Sequence, residues 1–306
     1  MTRRRRSRLG AVLVICAAVL AGCGQGSPAP AAPTTARQPT PSTAAPAPSS
    51  TAARRVNADP GRFDPKDFGG PAAEANAWLP LTPGYQSVRD GTLFRGHREL
   101  HHRLRTTVTD VAKRVDGVRT VLVLDQDIDA GEIAEQSLDY LAQDRHGNVW
   151  YLGSYTESYE GGQFVNASDA WLAGVRGATP GVAMMADPKP GTAPYPQARI
   201  PGHELLTAQV AKLGVRKCVP FRCFADVLAI LEAGTELKYY AGGVGPIATE
   251  PSSSGGEQER EALVNLVQLT SLGLAGVGQE ALRLDQHASA TATAVFAGSA
   301  PAGRTR

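Results

Sequence analysis

The sequence predicts an all-β protein: an antiparallel meander bent into a strongly curved sheet or open barrel, with a β-sandwich as second choice and a short C-terminal helix. Three observations carry this expectation. The stretch Leu138 to Tyr155, L-D-Y-L-A-Q-D-R-H-G-N-V-W-Y-L-G-S-Y, sets two strand-like runs around Asp144-Arg145-His146-Gly147-Asn148. That loop reads as a type I turn closed by a glycine in the left-handed region. Val115-Asp116-Gly117-Val118 supplies an Asp-Gly hairpin turn. Short turns between the remaining strand-like runs favour pairing of sequence neighbours.

If Asp144 pairs with Asn148, then Ala142 faces Trp150, Tyr140 faces Leu152 and Leu138 faces Ser154, an apolar face expected to be core. The other face carries Asp139, Leu141, Gln143, Val149, Tyr151 and Gly153. It is too mixed for a dry interior and too apolar for open solvent, and it suits the lining of a groove or the underside of a loop.

The chain begins with a targeting segment, 1–22. Arg3, Arg4, Arg5, Arg6 and Arg8 form a basic start, Leu9 to Leu20 is an apolar run too short for a stable membrane span, and small residues precede Cys23. Residues 23–58 are Ala, Pro, Thr and Ser with almost no large apolar side chains, so they form a disordered tether. At about 6 Å times the square root of its length, such a tether reaches about 35 Å. A β domain is expected over 59–270, with a short helix and frayed tail over 271–306. The formal charge of +2 belongs to the export signal, since loss of its five arginines leaves about −3. Nucleic acid is therefore not an expected partner, because phosphate binding needs a concentrated basic surface.

Within the domain, Phe63, Phe68 and Trp78 anchor its start, and Thr82-Pro83-Gly84 turns into a first strand, Tyr85 to Phe94. A second follows over Leu100 to Val111, and Arg119 to Asp125 is a third, apolar on both faces. Asp127 to Gly131 is read as the next turn. From Thr156 to His203, Gly, Pro and Ala dominate, and the segment is expected to be irregular and functional or mobile. Trp171, Met184 and Met185 are too apolar for water and should fold back over the sheet, as a lid or groove with Leu141 and Tyr151. Strands resume over Leu205 to Val215, Phe224 to Glu232, Glu236 to Tyr240 and Glu261 to Leu269, with a flexible polar loop at Pro251 to Gln258 before the last of them. The C-terminal helix is placed over Val277 to His287.

Candidate chemistry is sparse. Cys218 and Cys223, separated by V-P-F-R, suit a disulfide across a hairpin end in an oxidising compartment; a redox pair or metal ligands are weaker readings. Asp125, Asp127 and Asp129 have the spacing that opens a calcium loop, but Ala130 and Gln136 stand where glycine and glutamate are needed, which favours a solvated acidic turn. His101 and His102 point to opposite faces of a strand and His97 lies far along the chain, so exposed strand-end histidines are expected. No nucleophile elbow or phosphate-cradling loop is present, and the acidic residues Glu157, Glu160 and Asp169 have no spacing that defines a glycosidase pair. No catalytic residue, metal site or cofactor is expected.

Leu20-Ala21-Gly22-Cys23 resembles the lipobox of bacterial lipoproteins, which implies a lipid on Cys23 and attachment to the extracytoplasmic face of the cell membrane. The Leu138 to Tyr155 hairpin, V-P-F-R-C-F-A-D-V-L at Val219 to Leu228 and K-Y-Y-A-G-G-V-G at Lys238 to Gly245 resemble a family of secreted or lipid-anchored bacterial, actinobacterial-type proteins of unassigned function. That family's pattern runs Q-D-x-x-G-N-V-W-Y-x-G, then V-P-x-G with D-V-L, then Y-Y-A-P-G-V-G. This chain departs at Arg222, where the family has glycine, and at Gly242, where it has proline. The resemblance covers Leu81 to Leu269 and implies fold and location; it brings no catalytic residues.

These readings together give a membrane-anchored, non-catalytic binding protein for a lipid-like apolar ligand or an envelope protein. A structural component of the cell envelope is the alternative, and a cell-wall hydrolase is disfavoured.

Overall fold

The computed structural model describes residues 61–70, 74–95, 98–252 and 259–305. The expected export signal, Cys23, the tether and His97 lie outside the described residues. A 3-10 turn at Pro65–Asp67, capped by the Asp64 side chain, precedes the strands. These are β1 (Tyr85–Arg95), β2 (Arg98–Val115), β3 (Val118–Asp129), β4 (Glu132–Gln143), β5 (Val149–Glu160), β6 (Gln163–Leu172) and β7 (Thr179–Met184). They continue as β8 (Tyr195–Arg199), β9 (Leu206–Cys218), β10 (Cys223–Glu232), β11 (Glu236–Ala241), β12 (Gly245–Pro251) and β13 (Glu259–Gln268). Helices α1 (Ser271–Thr291) and α2 (Thr293–Phe296) and a short β14 (Gly303–Arg304) follow.

The fold is all-β, as expected, and the barrel is closed by twelve antiparallel strands. Its order is β1-β13-β12-β11-β10-β9-β8-β7-β5-β4-β3-β2, and β1 pairs with β2 to complete the ring. Closure removes the edges that an open barrel would leave to other chains. β6 lies off this ring on β5, and β14 adds to β2.

The Leu138 to Tyr155 hairpin folds as read at its loop. The amide of Asp144 donates to the carbonyl of Asn148 at 2.9 Å, Gly147 has φ of 90°, and Ala142 pairs with Trp150. The buried Asp144 carboxylate ties the loop together, accepting from the amides of His146 and Asn148 and, at 2.8 Å, from Trp150 Nε1. Farther along, the register differs from the expectation. A bulge on β5 at Leu152 sets Tyr140 opposite Gly153 and Leu138 opposite Tyr155. The bulge is needed to keep Tyr140 and Tyr155 on the outer side and Asp139 and Ser154 on the inner one.

The segment expected to be irregular is mostly strand. β5 runs on to Glu160, a Gly161-Gly162 turn leads into β6, and β7 and β8 follow. Both β6 and β7 pair along the same side of β5, one at each end, so Trp171 and Met184 belong to the sheet and not to a lid. The turn after β3 is also later than expected: Ala130 and Gly131, at φ of 52° and 91°, form it, and the strand continues through Asp129. Cys218 and Cys223 are disulfide-bonded across the β9–β10 hairpin end.

α1 is longer than the expected Val277 to His287. Thr270 caps it by accepting from the amide of Gly273, and Ala281, Leu284 and Ala288 are buried against the barrel, so docking offsets the weak helix propensity of its glycines. The tail does not fray. Arg304 binds the Asp110 carboxylate and the carbonyl of Ala275 while β14 pairs with β2. Under the helices, Lys113 and Asp285 form a fully buried pair at 2.9 Å, Tyr140 donates to the same carboxylate at 3.1 Å, and the amide of Ala302 at 2.9 Å. Phe296 packs against Tyr140 and Tyr155.

Removing one member of a buried pair strands the other charge, which costs about 3–5 kcal/mol. Asp285→Ala is therefore expected to lower the Tm by roughly 10 °C. The double variant Lys113→Met/Asp285→Leu should lose less than this single change. Thermal melts of the three proteins check both points, and an unchanged Tm for Asp285→Ala would contradict the role given to the pair.

Candidate functional site

Alternation places one set of side chains inside the barrel. On β3 these are Val121, Val123, Asp125 and Asp127, and the register sets them beside Leu141, Asp139, Ser137 and Glu135 of β4. On the other side they meet Val108, Thr106 and Leu104 of β2, with His102 beside Asp129. β1 adds Ser87 and Arg89, and β13 adds Glu259 and Glu261. The opposite face of β4, with Leu138 and Tyr140, packs outward on the core beneath the helices. Lys238 on β11 acts electrostatically on both Asp125 and Asp139, although β11 and β4 stand far apart around the ring, which is possible only across the interior.

The interior is thus rich in charge, and carboxylates predominate. Arg89 donates from Nε to Glu261 Oε1 at 2.8 Å, and Thr249 donates to the same oxygen at 2.9 Å. Lys238 pairs with Glu232 at 2.8 Å and lies 3.7 Å from Glu236, while Tyr240 and Gln197 donate to Glu232. His102 Nδ1 meets Asp129 Oδ1 at 2.8 Å. On the inner face of the hairpin, Tyr151 and Ser154 donate to Asp139 at 2.8 and 3.0 Å.

Burial and crowding shift these groups. Burial pushes the Asp139 carboxyl up to about 7, aided by the charge of Asp125 and opposed by the two hydroxyl donors. Burial raises Asp127 well above the carboxylate range, with Glu259 and Glu135 adding to it. Burial likewise holds Glu236 at about 7. For His102 burial acts downward, but Asp129 and Glu259 outweigh it and hold the imidazole at about 11. The same competition keeps Lys238 charged: burial opposes it, and Glu232 and Glu236 prevail.

Of the residues expected to form a groove, Leu141 and Tyr151 face the interior, and Trp171 stacks edge-on against Tyr151 at 5.1 Å. Met184 and Met185 are buried in the same hydrophobic cluster as Leu141 and Trp171, as parts of the packed core and not of a lid. The acidic series Asp125, Asp127 and Asp129 is no solvated turn; it runs along β3 beside the interior network. His101 is exposed and His102 buried, on opposite faces as expected, but His102 is not a surface histidine. Arg89, Lys238, Glu232, Glu259 and Glu261 were not anticipated. Their signal was the alternation of charged with apolar residues, which reads equally as an outward face in an open sheet.

A cleft lies outside the ring. Its volume of about 870 Å³ is bounded by Phe63 of the N-terminal segment, Trp150 of β5, Thr179, Pro180 and Val182 of β7 and Pro194 before β8. Phe63 meets Trp150 edge-on at 5.4 Å.

No family model matches the chain, and no curated protein matches it. Two solved structures overlap it in part. One, from Bacteroides fragilis, is named as an exported protein with a YmcC-like fold; it is 12% identical, with a TM-score of 0.37, and the match covers 63% of this chain and 100% of that one. The other, from Parabacteroides distasonis, is named as a lipoprotein; it is 13% identical, with a TM-score of 0.36 and the same coverage. At these scores the overlap carries no argument about this chain.

Asp139 provides a test of the interior. Its folded pKa lies above the ordinary 3.8, so its contribution to stability is fully present below that value and is lost as pH rises to about 7. Asp139→Asn keeps an acceptor for Tyr151 and Ser154 without the charge. The Tm advantage of the variant over the wild type should grow between pH 4 and pH 7 and stay flat above. A difference independent of pH would contradict the burial of this carboxyl.

Proposed function

We propose that this chain is an exported lipoprotein, attached to the membrane through Cys23, that binds an apolar ligand such as an acyl chain in the cleft beside Trp150. The cleft carries the reading: it is preformed, of a size that suits small-molecule ligands, and walled mainly by aromatic, proline and aliphatic side chains. The basic and apolar leader ending in L-A-G-C supports export and acylation. The bonded Cys218–Cys223 pair fits an oxidising compartment. Trp150 is a fixed wall, since Asp144 holds its indole N–H.

Thr179 is exposed on the cleft rim, so Thr179→Trp fills the space without disturbing the core. In the mature chain carrying Cys23→Ser, a fluorescent fatty acid should bind saturably with energy transfer from tryptophan. Thr179→Trp should weaken it at least about tenfold, or about 1.4 kcal/mol, with no loss of Tm. Absence of saturable binding, or binding indifferent to the substitution, would refute this assignment of the cleft.

A further inference from the structure

We infer that the barrel interior holds a site for one divalent transition-metal ion, of the zinc or manganese class, made by His102 of β2 and Glu259 and Glu261 of β13, with Asp127 of β3 beside them. One ligand atom of each of the first three lies within 4.8 Å of the other two. His102 Nε2 stands 3.5 Å from Glu259 Oε1 and 3.8 Å from Asp127 Oδ1. Those separations are close to what ligands sharing one ion at about 2.0–2.2 Å require, so a small inward shift of the Glu261 carboxylate completes the set.

Clustered carboxylates alone would not make a site. Of the five buried side-chain atoms without a hydrogen bond among the described residues, two lie here: His102 Nε2, whose carboxylate neighbours stand at ion-pair distance, and Glu261 Oε2, on side chains only 4% and 2% exposed. Leaving such atoms unmet is costly in a folded protein. Both belong to the same group of three.

The remaining atoms of these side chains are already fixed from outside the group. His102 Nδ1 faces Asp129 Oδ1 at 2.8 Å, the arrangement in which a carboxylate sets the ring orientation and leaves Nε2 as a ligand. Glu261 Oε1 is held by Arg89 and Thr249, which leaves Oε2 the unused oxygen. The donors also set the class of ion. One imidazole with carboxylates suits zinc, manganese or iron(II) better than calcium, which takes oxygen ligands, and no thiolate stands in the group.

The site is separate from the cleft, so the two readings stand or fall independently. The test uses the full mature chain with Cys23→Ser, stripped with chelator and titrated with Zn²⁺ by calorimetry. One equivalent should bind at micromolar affinity or tighter and raise the Tm. His102→Ala should weaken binding at least about 100-fold and Glu261→Gln at least about tenfold, while His101→Ala, on the exposed opposite face, should leave it unchanged. Should a buried variant fail to fold, Co²⁺ added to the wild-type site decides: a visible ligand-field band and hyperfine-shifted imidazole protons from one histidine are expected. No stoichiometric uptake, uptake that survives His102→Ala, or a cobalt protein without a shifted imidazole would each overturn the inference.

Discussion

Everything in this molecule depends on β1 being hydrogen-bonded along both of its sides, to β13 and to β2. That double pairing turns a twisted meander into a ring. Once the ring is closed, every strand has an inside, and the period-two alternation of each strand is converted into a sorted interior and exterior. The charged side chains of β1, β2, β3, β10, β11 and β13 then face one another across a confined space, where they must satisfy each other. The pairs Arg89–Glu261, Lys238–Glu232 and His102–Asp129 are the result.

Much of the architecture was legible in the sequence. The turn at Asp144 to Asn148, the Asp116-Gly117 hairpin and the disulfide loop carry local chemistry that tertiary context did not override. Four features were less legible, for physical reasons. Closure is a relation between β1 and β13, some 170 residues apart, and no local propensity encodes it. The strand over Asp125 to Asp129 looked like a turn because aspartate is common in turns, whereas here the residues alternate beside a polar interior. The Gly161-Gly162 turn was a genuine local signal, obscured by the glycine- and alanine-rich composition around it. The Leu152 bulge has no composition signature at all; it is required by the need to place Tyr140 and Tyr155 under the helices.

The candidate site divides in the same way. Tyr151 and Leu141 were legible as a mixed face, and the structure explains the mixture: the face lines an interior that is apolar near Val121, Val123 and Leu141 and charged toward Asp127 and His102. The ionic network was not legible, because charged residues on a strand ordinarily mark the solvent side. Strand β5 borders both the cleft and the interior network. Trp150 points to the apolar cleft outside the ring and Tyr151 to the polar interior, so neighbouring residues on one strand serve spaces of opposite character. The helices cover a third surface, where Lys113, Tyr140 and Asp285 form a buried polar anchor distinct from both.

Successive backbone amides of a strand point to opposite neighbours, so the amides of β1 between Gln86 and Leu93 report on closure directly. Native-state hydrogen exchange followed residue by residue is the decisive measurement. A closed ring requires slow exchange for both alternating sets, those facing β13 and those facing β2. An open sheet would leave one of the two sets exchanging at the rate of the loops, and that result would contradict the barrel and the interior built on it.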